Sequence, residues 1–122
     1  MDYLALFFCL SLTTTPELYI DGLRKASALF SSEIKKLLDY YCSYYDIHRH
    51  YPDFDTVAKD FGVDLSDYTV VKISSTYGSV DLAVSSLWDK FKREVSKIEL
   101  RAVEAQLVAE QRMLARLPAR PH

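Results

Sequence analysis

LFSSEIKKLLDYYCSYYDIHRHYPDFDTVAKDFG, residues Leu29–Gly62, holds two helices and the corner between them. Ser31 or Ser32 stands at a capping position with Glu33 just inside, the arrangement that satisfies and charge-matches a helix start. Ile34, Leu37, Leu38, Tyr41, Tyr45 and His48 then recur at helical spacing and predict a core stripe. Tyr40, Tyr44, Ile47 and Tyr51 flank it. Pro52 is expected to stop this helix, because the residue before a proline is pushed out of the α region. Asp53 or Asp55 starts a second, shorter helix whose apolar side is Phe54, Val57, Ala58 and Phe61. Gly62 stands where a left-handed residue closes a helix.

Working toward the N-terminus, Asp2–Leu12 is apolar nearly all round, with Leu4, Phe7, Phe8 and Leu12 on one face. That pattern predicts a buried first helix. A secretory signal is disfavoured, because Asp2 occupies the n-region without any Lys or Arg and no A-x-A-like site follows. The run is also too short to span a bilayer, so no membrane association is expected and the cytoplasm is the expected location. Thr15 is expected to cap a second helix that has Pro16 at its first position and ends near Gly22 or Lys25. Ala26–Phe30 reads as an apolar connector.

Toward the C-terminus, Val63–Asp67 reads as a loop. Tyr68–Ser75 is dense in β-branched residues, but no partner strand exists to pair with it, so it is assigned a short helix. Ser79 caps a final helix that runs without proline or glycine to about Leu117, on the order of 55 Å. Trp88, Phe91, Val95, Ile98, Ala102, Ala105 and Ala109 alternate spacings of three and four along it, a heptad-like seam. Leu100, Val103, Leu107 and Leu114 form a second seam on another side. Two seams call for two partners, the chain's own body and something else. Asp89–Arg93 and Lys90–Glu94 are expected as supporting i,i+4 pairs. The expected architecture is therefore all-α: a compact bundle of short helices over 1–78, a long projecting C-terminal helix over 79–117, and a flexible basic tail over 118–122.

The formal charge of −2 is uneven. Residues 1–78 carry seven Lys/Arg against eleven Asp/Glu, and residues 79–122 carry eight against six. Asp46, Asp53, Asp55, Asp60, Asp64 and Asp67 form an acidic shoulder suited to a basic partner. That balance speaks against a protein that neutralises phosphates, so nucleic-acid binding is expected to be weak or absent. Five of the nine tyrosines lie between Tyr40 and Tyr51, too poor in neighbouring cations for a base-stacking platform. Residues 54–76 admit an alternative, a helix-turn-helix DNA-binding regulator, in which Ala58, Gly62 and Val63 fit a first helix and turn. Its recognition helix arrives about two residues late and Asp60, Asp64 and Asp67 occupy positions where phosphate contacts are wanted. Cys9 and Cys42 fall in apolar helical patterns, as buried free thiols do. His48 and His50 are two apart and point in different directions on a helix, so no metal set is formed. No nucleotide-binding loop, nucleophile elbow or metalloprotease motif occurs. Neither a cofactor nor catalysis is expected.

Residues 4–62 resemble the N-terminal domain of DnaB-like replicative helicases, the divergent phage forms especially. The resemblance rests on the starting helix LALFFCLSL, the PELY step, the ALFSSEIKKLLDYYCSYY segment and HYPDFDTVAKDFG, where those helicases carry a proline and then a short helix. It implies a helical domain without ATPase activity that pairs into a collar and docks primase or a loader. The motor domain of that family has no counterpart in this chain. The expected role is thus a non-catalytic protein–protein interaction module. It would form a homodimer or higher homo-oligomer and dock or modulate a replicative helicase, primase or loader. The expected contacts are Trp88, Phe91, Val95, Ile98, Leu100, Ala102, Val103 and Leu107.

Overall fold

In the computed structural model, which describes residues 1–116, Asp2 caps the first helix through its side chain, accepting from the Ala5 N–H at 3.0 Å. That helix, α1 (Tyr3–Leu12), has Ala5 through Leu10 all buried, as an apolar-all-round sequence requires. Leu12, expected on its core face, is exposed, because the chain turns away immediately at Thr13. Pro16–Leu18 is a single 3₁₀ turn rather than the start of an α-helix. Thr15 makes no capping bond; its hydroxyl faces that of Thr13 at 3.3 Å.

The second helix, α2 (Ile20–Leu29), runs straight through the expected stop at Gly22 and through the expected connector. The reason is packing. A Cβ on Gly22 would come within 2.6 Å of the Trp88 ring, so this glycine marks a close helix approach and no helix end. The next helix, α3 (Ser32–His48), buries Leu37, Leu38, Tyr41 and Cys42. It ends earlier than Pro52 demands, at a left-handed Arg49 (φ 62°) whose N–H donates to the Tyr45 carbonyl at 2.8 Å. Leaving the helix there lets Tyr51 turn inward and donate its hydroxyl to the Pro16 carbonyl at 2.6 Å. His48, expected in the core stripe, and Ile47, expected on its flank, are consequently exposed at this helix end.

The short helix α4 (Phe54–Phe61) closes on left-handed Gly62 (φ 67°), as its position predicts. A 3₁₀ turn at Leu65–Asp67 leads into α5 (Val70–Tyr77), whose N-cap Thr69 accepts from Lys72 at 3.1 Å. The β-branched run is thus helical, and no strand occurs among the described residues. Ser79 accepts from Leu82 at 3.1 Å and opens α6 (Val80–Ala115). The fold is all-α, with short helices gathered round α1 and one long C-terminal helix.

Aromatic contacts tie these elements together. Phe7 meets Tyr41 at 4.6 Å, Phe8 meets Phe54 at 5.4 Å, and Phe30 stacks on Phe91 at 6.0 Å. Ala83, Val84, Leu87, Phe91 and Val95 bury one side of the first half of α6 against this body. The salt bridge between Lys25 and Glu99, at 2.8 Å, lies where the body ends. Every described residue beyond Glu99 is exposed, so about 24 Å of helix projects. Residues 117–122, including Leu117 and the expected tail, lie outside the described residues.

Candidate interaction surface

Helical geometry sorts the residues of α6 before any contact is considered. At about 100° per residue, Trp88, Phe91, Val95 and Ile98 share the side that faces the body. Phe91 is 1% exposed and Val95 7%, while Trp88 and Ile98 are half-buried. Trp88 sits edge-on to Tyr19 at 4.9 Å and against Phe91 at 5.2 Å. The expectation that these four contact a partner is therefore corrected for Phe91 and Val95. The periodicity identified a genuine seam, and the chain's own core consumes its first half. Its continuation, Ala102, Ala105 and Ala109, is exposed where there is no longer a body to meet.

The second seam is the unburied one. Leu100 is 59% exposed, Val103 53%, Leu107 51% and Leu114 67%. Together they leave on the order of 400 Å² of apolar surface in water, the size of the largest patch on a typical monomer, which is often functional. Val108 and Met113 are also exposed, each on another side of the helix.

Nearer the body, the other side of the helix borders a groove of about 370 Å³. Trp88, Phe91 and Val95 contribute its apolar lining, Leu18 and Gly22 its far wall, and Lys25, Lys92 and Glu99 its polar rim. Leu18 is 68% exposed, an apolar side chain left in water at the groove mouth. None of the groove's α2-side residues carries a periodic signal, so the sequence offers no route to them. A shallower depression lined by Asp89, Lys92, Arg93 and Ser96 adjoins it.

The acidic shoulder is scattered rather than gathered. Asp46 is held by Arg24, whose guanidinium keeps its carboxyl below the usual range. Asp64 accepts from the Ser66 N–H at 2.9 Å, which lowers it likewise. Asp67 lies 3.5 Å from Lys72. Asp53 precedes α4 without capping it through its side chain, Asp55 sits in its first turn, and Asp60 is exposed near its end. Between α4 and α5 the chain spends eight residues, Gly62–Thr69, so the second helix is both late and preceded by acid. The expected pairs Asp89–Arg93 and Lys90–Glu94 do not form; Lys92 takes Asp89 at 3.5 Å and Lys97 takes Glu94 at 3.3 Å, both one residue closer.

Tyr41 and Tyr51 face inward, while Tyr40, Tyr44 and Tyr45 are partly exposed. Tyr41 donates to the Phe7 carbonyl at 3.1 Å and shares a 2.7 Å hydrogen bond with Ser11. Burial pushes its hydroxyl above the ordinary tyrosine range, with the Ser11 bond opposing, and burial does the same to Tyr51. Cys9 and Cys42 are buried free thiols, each raised to about 11 by burial. His48 and His50 lie on the surface near Tyr44, and no cluster of three or more metal-ligating side chains occurs among the described residues. No helix among them is long and apolar enough to cross a membrane. No family model, curated protein or solved structure matches the chain.

Proposed function

We propose that this chain is a non-catalytic interaction module of the cytoplasm that associates with copies of itself through the projecting half of α6. On the resemblance of residues 4–62 to helicase N-terminal domains, we propose that the assembled module docks or modulates a replicative helicase, primase or loader. One observation carries the self-association: Leu100, Val103, Leu107 and Leu114 stand exposed in a row on helix that touches no other element. A free helical end of about four turns is marginal by itself in water, and its stability comes from packing an apolar face. A second identical row is the simplest cover, since like copies make closed symmetric pairs.

Sedimentation equilibrium tests this. The native chain should be dimeric or larger at micromolar concentration. Leu107→Asp should be monomeric with unchanged helix content by circular dichroism. A native chain that stays strictly monomeric at high concentration rules the self-association out. Failure to co-purify with, or alter the activity of, any replicative helicase, primase or loader rules out the docking role.

A further inference from the structure

We infer that His48 and His50 together bind one divalent first-row cation of the zinc class at the end of α3, against the ring of Tyr44. On an unbroken helix two residues two apart diverge, which is what the sequence predicts for this pair. The structure removes that premise, because only His48 belongs to α3. Arg49 is left-handed (φ 62°), and this one turn of backbone folds His50 back beside the helix end. The two imidazole rings come to lie 5.8 Å apart, centroid to centroid. Tyr44, one turn before His48, meets both, at 4.2 Å and 5.5 Å.

The separation suits a shared ion. With metal–nitrogen bonds of about 2.0–2.1 Å at a tetrahedral angle, two coordinated imidazoles stand roughly 5 Å apart by centroid. Closing 5.8 Å to that value takes a shift of less than about 1 Å, and both side chains are exposed and free to make it.

The proton is already in the right place on one ring. His50 Nδ1 lies 3.1 Å from the Tyr51 carbonyl oxygen. A carbonyl only accepts, so Nδ1 carries the hydrogen and, in the neutral ring, Nε2 keeps its lone pair. A backbone carbonyl on the far nitrogen is the support that metal-bound histidines commonly have. That carbonyl is held in turn, since Tyr51 is buried and its hydroxyl donates to the Pro16 carbonyl at 2.6 Å.

Arg49, between the two histidines in sequence, would repel a cation placed beside it. Its guanidinium lies instead over the ring of Tyr45, 5.7 Å from the centroid, while both histidines gather at Tyr44. Among the described residues no third histidine, cysteine or carboxylate completes a cluster, so water fills the remaining positions and the ion is exchangeable. Imidazole nitrogens select zinc, copper and nickel over magnesium and calcium.

Isothermal titration of the full chain with zinc chloride tests the site, Cys9 and Cys42 being buried. One zinc should bind per chain, and His48→Gln and His50→Gln should each weaken it by about tenfold or more, with helix content unchanged by circular dichroism. Because both rings hold the same ion, the double variant should bind little worse than either single one. Two weak, independent equivalents, one lost with each substitution, overturn the shared site. So does binding that depends on His122 and survives loss of the pair, or no binding at millimolar zinc. Proton–nitrogen correlation spectra identify the bound atom: zinc should shift His50 Nε2 and leave the Nδ1 proton in place, and zinc on Nδ1 overturns the proposed geometry.

Discussion

Gly22→Ala places a methyl group against the rigid end of an indole. The added Cβ would lie 2.6 Å from Trp88 Cζ2 and 2.8 Å from Cη2, against ~3.5–4.0 Å for a comfortable carbon contact. The ring would have to retreat by about 1 Å. It already meets two rings, Tyr19 edge-on at 4.9 Å and Phe91 at 5.2 Å. Two effects oppose each other. Alanine in a helix interior is favoured over glycine by about 1 kcal/mol. Overpacking a filled contact costs about 1–3 kcal/mol. The packing cost exceeds the propensity gain here because the obstructing group is an aromatic ring with its neighbours already in place. The net expectation is a loss of about 1 kcal/mol in urea unfolding, followed by far-UV circular dichroism at one fixed protein concentration. Trp88→Phe removes the two atoms that clash, so in that background Gly22→Ala should turn neutral or stabilising, with a coupling of about 1 kcal/mol or more. A Gly22→Ala chain that is more stable than native by the full propensity gain, with no coupling to Trp88, would refute the close approach of α2 and α6.

Three further outcomes are expected. Val95→Asp should lower stability by more than about 3 kcal/mol or prevent folding, because it puts an unpaired charge into the core, whereas Leu107→Asp should leave the melting curve of the monomer unchanged within ~0.5 kcal/mol. Stability should fall as pH rises from about 9 toward 11: the Cys9 and Cys42 thiols go from 9.0 to about 11 on burial, so the unfolded chain releases their protons first, costing about 1.4 kcal/mol per thiol by pH 10, and Tyr41 and Tyr51, also raised, extend the loss upward. Stability that is flat to pH 11 would contradict the buried environment of these groups. Both thiols should react with a disulfide reagent at least a hundredfold more slowly in native buffer than in denaturant, since burial and a raised pKa each suppress the thiolate; rapid modification of the native chain would show that α1 or α3 is not packed as described.

The helical elements of the fold were legible because each rests on a local signal. Gly62 closes α4, Ser79 opens α6, and the β-branched segment before Gly78 is helical because a lone strand has nothing to pair with. The misreadings have a common cause. Gly22 looked like punctuation, yet its meaning lies in Trp88, 66 positions away, and no local rule reports such a contact. Pro52 looked like the end of α3, yet the helix ends at Arg49 so that Tyr51 can reach Pro16. The groove was illegible for the same reason: one wall belongs to the turn and helix at Leu18–Lys25 and the other to α6, and only the tertiary fold brings them together.

On α6 the two seams differ in a way that bears on function. A helix that merely overran its core would be expected to turn polar all round once past it. This one instead shrinks its body-facing strip to Ala102, Ala105 and Ala109 and raises a leucine row on nearly the opposite side. The change occurs at Glu99, where the last salt bridge to the body is made. Apolar residues therefore shift sides just where the partner must change from the chain's own helices to another surface. Periodicity alone could not assign the seams, because spacings of three and four describe a face and never what lies on it. Burial does assign them: Phe91 and Val95 serve the fold, which leaves Leu100, Val103, Leu107 and Leu114 with no structural task inside the chain. Substitutions on the first seam should thus be read as folding defects even where they abolish assembly, and only the second seam can separate assembly from folding.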